Sequence, residues 1–248
     1  MENARMEEIR AHFAAKAQSY DQETQWRQHS NILNAIARLA AGSYALAIDI
    51  GTGTGIVAAL ISRYSQLTIG LDICFDMLKV ARSRIQRIVQ GDACMMPFRD
   101  QSIDCCTARQ VLHYVNDEGL IGELARILRP GGCIVLADVV VSDPKDLTWW
   151  REIKALVQPL RRRVYGPDCH EGLLSKSFFV REQEDISIWR YDPWSVFLKH
   201  ISKDQAAIRH VHQLVALAVA GELSFVVQTN DNGIGYTQNW LITRAIRR

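Results

Sequence analysis

The sequence predicts an α/β fold, a mostly parallel sheet covered on both faces by helices. Three observations predict it. Short apolar runs alternate with amphipathic segments from Tyr44 to Val141, the order of elements that builds a parallel sheet. One of these runs, "CIVLADVVV" (133–141), is long and apolar, as suits a strand buried on both faces. The stretch "AIDIGTGTGIVAALI" (47–61) passes from an apolar run through an aspartate and three alternating glycines into a helical pattern, a strand–turn–helix unit.

Taken in order, residues 3–19 read as a helix with Ile9, Phe13 and Ala17 near one face, and 25–41 as a second helix. "ALAIDI" (45–50) is a strand and 55–64 a helix; "LTIGLDI" (67–73) is a strand and 76–84 a helix. "RIVQGD" (87–92) and "SIDCCTAR" (102–109) are short strands, and the helix over 117–128 stops at "RPGG" (129–132), where proline and glycine end it. After Val141 the rhythm breaks. Residues 145–163 read as helical, 164–202 as irregular and rich in aromatics, and 204–220 as a helix. "ELSFVVQT" and "GYTQNWLITRAI", joined by "NDNGIG", read as an antiparallel hairpin. The organisation expected is 1–43 as N-terminal helices, 44–141 as the ligand-binding core, 142–202 as an insertion, and 203–248 as the last helix and terminal hairpin.

Composition narrows the class. The chain has 248 residues, 48% hydrophobic and 23% charged, with a net charge of +2, the profile of a globular domain with a full core and no broad basic surface for nucleic acid. The cysteines Cys74, Cys94, Cys105, Cys106, Cys133 and Cys169 mostly sit in apolar runs and lack CxxC spacing, which reads as buried thiols in a reducing compartment. No apolar stretch approaches a membrane span, and "MENARMEEIRAHF" lacks a signal-peptide core; a cytoplasmic location is expected.

A strand ending in Gly-x-Gly before a helix offers bare backbone to a ligand. The dinucleotide fingerprint requires a small third residue at position 56, but that position is Ile56, and the third glycine comes one place early at Gly55. Asp49, two residues before Gly51, repels a diphosphate and attracts an amino group. The ligand indicated is an adenosine-type cofactor with a cationic tail and no phosphates, and NAD fits poorly.

At this point the residues resemble a family. "IDIGTGTG" is similar to the first motif of the class I S-adenosylmethionine (SAM) dependent methyltransferases. The match continues through "IGLDICFDMLKVAR" (69–82), "VQGDACMMPFRDQSID" (89–104), "QVLHYVND" (110–117) and "ELARILRPGG" (123–132). Within the family the chain resembles the small-molecule group that includes the ubiquinone and menaquinone C-methyltransferases and the malonyl-carrier-protein O-methyltransferase. "FAAKAQSYDQ" (13–22) is similar to their lid segment.

The resemblance implies a Rossmann-like, seven-stranded, mostly parallel sheet ending in an antiparallel hairpin, with an N-terminal helical lid and an insertion after strand five. It implies SAM as cofactor and S-adenosylhomocysteine as product. Gly51, Thr52, Gly53 and Gly55 would line the methionine and ribose portions, and Asp49 the α-ammonium. Asp72, seventeen residues after Gly55, would grip the ribose diol. Ile73 would pack on adenine, and Asp92 would accept from its amino group beside the Ala93 amide. Gln110 would approach the methionine end, and Tyr20 would close over the cofactor. His113 is the candidate base, the alternative being a histidine that only packs or positions.

The acceptor expected is a small apolar or aromatic metabolite, methylated on oxygen or carbon. The insertion carries Trp149, Trp150, Tyr165, Phe178, Phe179, Trp189, Tyr191, Trp194 and Phe197, a density that suits such a ligand and equally suits ordinary packing. The alternatives are a carrier-bound acyl group and a protein that binds SAM without transferring its methyl group. The arginines at 161–163 read as a solvated helix face, and Cys169-His170-Glu171 as a loop with no metal spacing.

Overall fold

The computed structural model describes residues 2–22 and 28–248. Its sheet runs in the order β3-β2-β1-β4-β5-β8-β6, with β7 pairing on β8. The four leftmost pairs are parallel. β1 (Tyr44–Ile50) lies between β2 (Ser65–Asp72) and β4 (Ile103–Arg109), β3 (Arg87–Gln90) flanks β2, and β5 (Leu128–Val140) flanks β4. β7 (Val227–Asn230) and β8 (Gly233–Arg247) are antiparallel. The fold class expected is therefore the fold found, a seven-strand path in a mixed sheet with β7 added on β8.

The crossovers are helical. α3 (Ile56–Ile61) links β1 to β2, α4 (Phe75–Ala81) links β2 to β3, and α5 (Asp117–Ile127) links β4 to β5. Two further helices, α1 (Glu2–Ala14) and α2 (Ser30–Leu39), precede β1; residues 23–27, on which part of the second expected helix falls, lie outside the described residues. Ile48 and Ile50 of β1 and Leu71 of β2 are fully buried, so the ends of these strands that carry the glycine turn are held rigidly by the core.

Three local readings are corrected. The stretch read as irregular contains α7 (Cys169–Leu174), a 16-residue strand, β6 (Phe178–Pro193), and the short α8 (Trp194–Phe197). Along β6 only Phe178, Ile186, Ile188 and Asp192 are buried. A strand at the end of the path keeps charges on its exposed positions, and "REQED" hid the period-two signal. The helix read over 145–163 is α6 (Leu147–Val157). Pro159 follows its C-cap Gln158, and the restriction before proline stops the helix there, so Arg161–Arg163 lie beyond it. β5 starts at Leu128, taking in "RPGG" through a register shift opposite Ile103–Cys105, with Gly131 at φ +79°. That is a bulge in which glycine supplies the left-handed residue.

The described chain clusters into two compact units. One comprises residues up to Asp138 with Asp168–Ile186 and Leu241–Arg248; the other comprises Val139–Pro167 and Ser187–Trp240. The second unit has its own core, in which Trp149, Ile153 and Val157 of α6 meet Val211, Leu214, Val215 and Ala218 of α9 (Gln205–Val219). Trp149 Nε1 donates to the Leu214 carbonyl at 2.7 Å, so the ring is buried without leaving its polar atom unpaired. Among the described residues no helix is long and apolar enough to cross a membrane.

Candidate active site

The three glycines do different work. All have left-handed backbones, φ +60° at Gly51, +54° at Gly53 and +85° at Gly55, which side-chain-bearing residues adopt at a cost. A Cβ at Gly51 would lie 2.5 Å from Val111 Cγ2, and one at Gly55 3.1 Å from Ala81 Cβ. These two glycines let the chain pass its own neighbours. A Cβ at Gly53 would meet nothing within 4 Å, so here the missing side chain leaves space. The turn is fixed by Thr52 N–H to the Leu71 carbonyl and Gly55 N–H to the Thr52 carbonyl, both 2.9 Å.

Two buried carboxylates flank that space. Asp49 stands opposite Thr107 in the β1–β4 ladder and accepts from Thr107 Oγ1 at 2.6 Å and from Thr52 Oγ1 at 2.7 Å. Burial pushes its carboxyl up to about 6, against the pull of those hydroxyls and, at longer range, of Arg109. No cationic side chain forms an ion pair with it among the described residues. Asp72 accepts from Gly53 N–H at 2.8 Å and Cys74 N–H at 2.9 Å. It thereby ties the end of β2 both to the glycine turn and to the first turn of α4, and burial raises its carboxyl as well.

The remaining expected residues ring this centre. Ile73 follows Asp72, and its carbonyl accepts from Gln90 Nε2 at 3.1 Å. Asp92 closes a tight turn after β3 by accepting Cys94 N–H at 2.8 Å, with Ala93 buried between them. Gln110 follows β4 at φ +60° and donates its backbone N–H to the Ala137 carbonyl at 2.9 Å. A non-glycine residue in that region stores strain of a kind that collects at ligand sites. Tyr20 packs with Phe13, Ala17, Cys74 and Met77, on the α4 side of the turn.

Sequence reading missed the group that ties the Tyr20 segment to the turn. Asp21 accepts from Thr54 Oγ1 at 2.7 Å and from Arg84 Nη2 at 2.8 Å, and Arg84 Nη1 donates to the Thr54 carbonyl at 2.8 Å. Only Asp21 beside Tyr20 was a signal, because Arg84 is distant in sequence.

His113 stands in a second, wholly buried polar group. Its Nε2 lies 3.7 Å from Asp138 Oδ1, and the other oxygen of Asp138 lies 3.3 Å from His170 Nε2. His170 Nδ1 is 2.8 Å from Thr243 Oγ1, which also accepts from Gln183 Nε2 at 3.1 Å. One carboxylate thus hydrogen-bonds His170 and stands within ion-pair reach of His113. The loop reading of Cys169-His170-Glu171 is corrected: His170 opens α7 and is fully buried. Among the described residues no cluster of metal-ligating side chains forms.

Comparison with known proteins decides the family. A family profile described as a methyltransferase domain matches residues 48–136, which spans the glycine turn, both carboxylates and His113. Residues 48–136 form a methyltransferase domain of the class I SAM-dependent kind. Along 95% of its length it is 28% identical to the uncharacterized methyltransferase YcgJ of Bacillus subtilis, covering 98% of that protein. The YcgJ crystal structure superposes with a TM-score of 0.72 over 89% of this chain and 99% of that one, at 22% identity. Over a shorter stretch, 53% of this chain and 59% of the relative, it is 32% identical to the demethylmenaquinone methyltransferase of Tropheryma whipplei.

The methyltransferase's own residues fit its cofactor. SAM carries an α-ammonium and an unphosphorylated ribose. Asp49 is a buried carboxylate with hydroxyl donors and, among the described residues, no paired cation, and Asp72 borders the one glycine of the turn whose missing side chain opens space. Of the two, Asp49 is the carboxylate that would repel a diphosphate; an acid placed as Asp72 is meets a ribose in dinucleotide folds as well.

Proposed function

We propose that this methyltransferase methylates an oxygen or carbon of a small apolar or aromatic metabolite. The observation that carries the acceptor class is the aromatic cluster in the second unit. Trp149 and Trp150 meet edge to face at 4.9 Å, Phe225 lies 5.3 Å and 5.0 Å from them, and Tyr236 5.6 Å from Trp150. Trp149 and Tyr236 are buried, and the half-buried Trp150 and Phe225 that pack on them offer flat apolar area to a planar ligand.

Bound in the glycine turn, SAM supplies a methyl group made electrophilic by its sulfonium. The chain's residues then have to hold and align, which accounts for much of the rate in such a reaction. Gly53 leaves room, with Gly51, Thr52 and Gly55 shaping the turn around it. Asp49 holds the ammonium, and Asp72 holds the ribose diol. Ile73, Asp92 and Ala93 receive the adenine, Gln110 borders the methionine end, and Tyr20, anchored through its neighbour Asp21, closes the site. Where the acceptor must lose a proton, His113 takes it as general base and Asp138 stabilises the resulting imidazolium.

Radiolabelled methyl transfer tests this reading. Incubation with a panel of phenols, quinols and carrier-bound acids is expected to label a phenol or quinol. His113→Ala should lower kcat by about a hundredfold or more while SAM affinity stays within about twofold. Unchanged turnover in that variant contradicts the base assignment. Label confined to carrier-bound acids, or absent, contradicts the acceptor class.

Asp49 gives a pH signature. Its folded-state carboxyl titrates at about 6, above the ordinary value of about 3.9, so the folded protein takes up a proton as pH falls through 6. Neutralising Asp49 removes the charge that meets the ammonium. SAM affinity should fall about tenfold between pH 7.5 and 5, and Asp49→Asn should flatten that dependence. A wild-type affinity independent of pH rules out this role for Asp49.

A further inference from the structure

The second unit buries a lysine that nothing in the sequence marks. Lys154 sits on the core side of α6 at 6% exposure. An ammonium carries three donors, yet among the described residues no oxygen accepts from Lys154 and no carboxylate pairs with it. Its Nζ lies instead over two rings, 4.9 Å from the centroid of Trp150 and 5.7 Å from that of Tyr236. Cation–π attraction of that kind offsets only part of the cost of burying a charge.

The surrounding charges do not make up the difference. Among the described residues Asp192 is the acidic group that attracts Lys154, and it is already engaged. Arg190 donates to both of its oxygens, at 2.8 Å and 3.0 Å, and the Tyr236 hydroxyl donates to it at 3.1 Å. Arg161, beyond the end of α6, and Arg190, on β6, both repel Lys154, and with burial they hold its ammonium well below the ordinary lysine range. α9 turns only Val211, Leu214, Val215 and Ala218 into this core. A lysine buried with its donors unused, repelled by two arginines and lying over two rings, fits a site for a negatively charged group.

We propose that the second unit binds a carboxylate or phosphate at Lys154, on a ligand whose apolar body lies against Trp150 and Tyr236. An incoming oxyanion would accept from the ammonium and offset the repulsion of Arg161 and Arg190, while Arg190 stays paired with Asp192. The site stands by itself; taking its ligand as the methyl acceptor rests on the acceptor reading above.

The test is calorimetric titration of the full chain, without SAM, using 1-naphthoate, 1-naphthyl phosphate and the neutral 1-naphthylmethanol. At least one anion should bind tenfold or more tightly than the neutral probe, and the stronger of the two identifies the group. Lys154→Met keeps the side-chain volume and removes the charge. It should erase that preference, leave SAM affinity within twofold of wild type, and raise Tm. Equal binding of charged and neutral probes, no binding of any probe at millimolar concentration, or a preference that survives Lys154→Met overturns the site. The wild-type comparison decides alone if the variant does not fold. Anion binding without labelled phenol or quinol would leave the site in place and remove only the acceptor reading.

Discussion

Gly53→Val is expected to yield a folded protein that does not bind SAM. A side chain at Gly53 meets no protein atom within 4 Å, so the fold has room for it. The backbone cost of holding a side-chain-bearing residue at φ +54° is about 1–2 kcal/mol, which a domain of this size withstands. The isopropyl group would fill the space proposed above for the cofactor. Calorimetry should show SAM affinity reduced by more than about a hundredfold, some 3 kcal/mol, with Tm lowered by only a few degrees. Gly51→Val is the contrasting case. Its Cβ would stand 2.5 Å from Val111 Cγ2, so the loss should appear first as unfolding. Near-normal SAM affinity in a folded Gly53→Val protein would place the cofactor elsewhere.

The second large effect is expected at Asp72. Removing its carboxylate leaves Gly53 N–H and Cys74 N–H without their acceptor and takes away the ribose partner proposed above. Each buried amide so exposed costs about 1–3 kcal/mol, so Asp72→Ala should lose stability and at least tenfold in SAM affinity together. Asp72→Asn separates the two roles, because its one remaining carbonyl oxygen still accepts from one amide. It should recover part of the stability and little of the affinity. If Asp72→Asn binds SAM as wild type does, the carboxylate serves the turn alone.

The left part of the sheet was legible because its strands are buried on both faces and its turns carry glycine. Asp49 and Asp72 were legible by their position at strand ends beside that turn. The edge strand β6 was not, since an exposed strand carries "REQED" where a buried one carries apolar residues. Sequence alone could not divide the labour of the glycines. That Gly51 yields to Val111 and Gly55 to Ala81 depends on contacts made from distant parts of the chain. The polar groups behind the site were hidden for the same reason. Thr107 reads as one hydroxyl in an apolar strand until the β1–β4 register sets it against Asp49. Asp138 reads as a single acid within "CIVLADVVV" until His113 and His170, far apart in the chain, converge on its two oxygens. Lys154 was invisible altogether, since a lysine in an amphipathic helix ordinarily faces water.

The most direct test is calorimetric titration of the wild-type protein at pH 7.5 with SAM and, separately, with NAD. One SAM site per chain and no NAD binding are expected, because the buried Asp49 beside the glycine turn suits a cation and repels a diphosphate. Saturable NAD binding with no response to SAM would contradict that expectation.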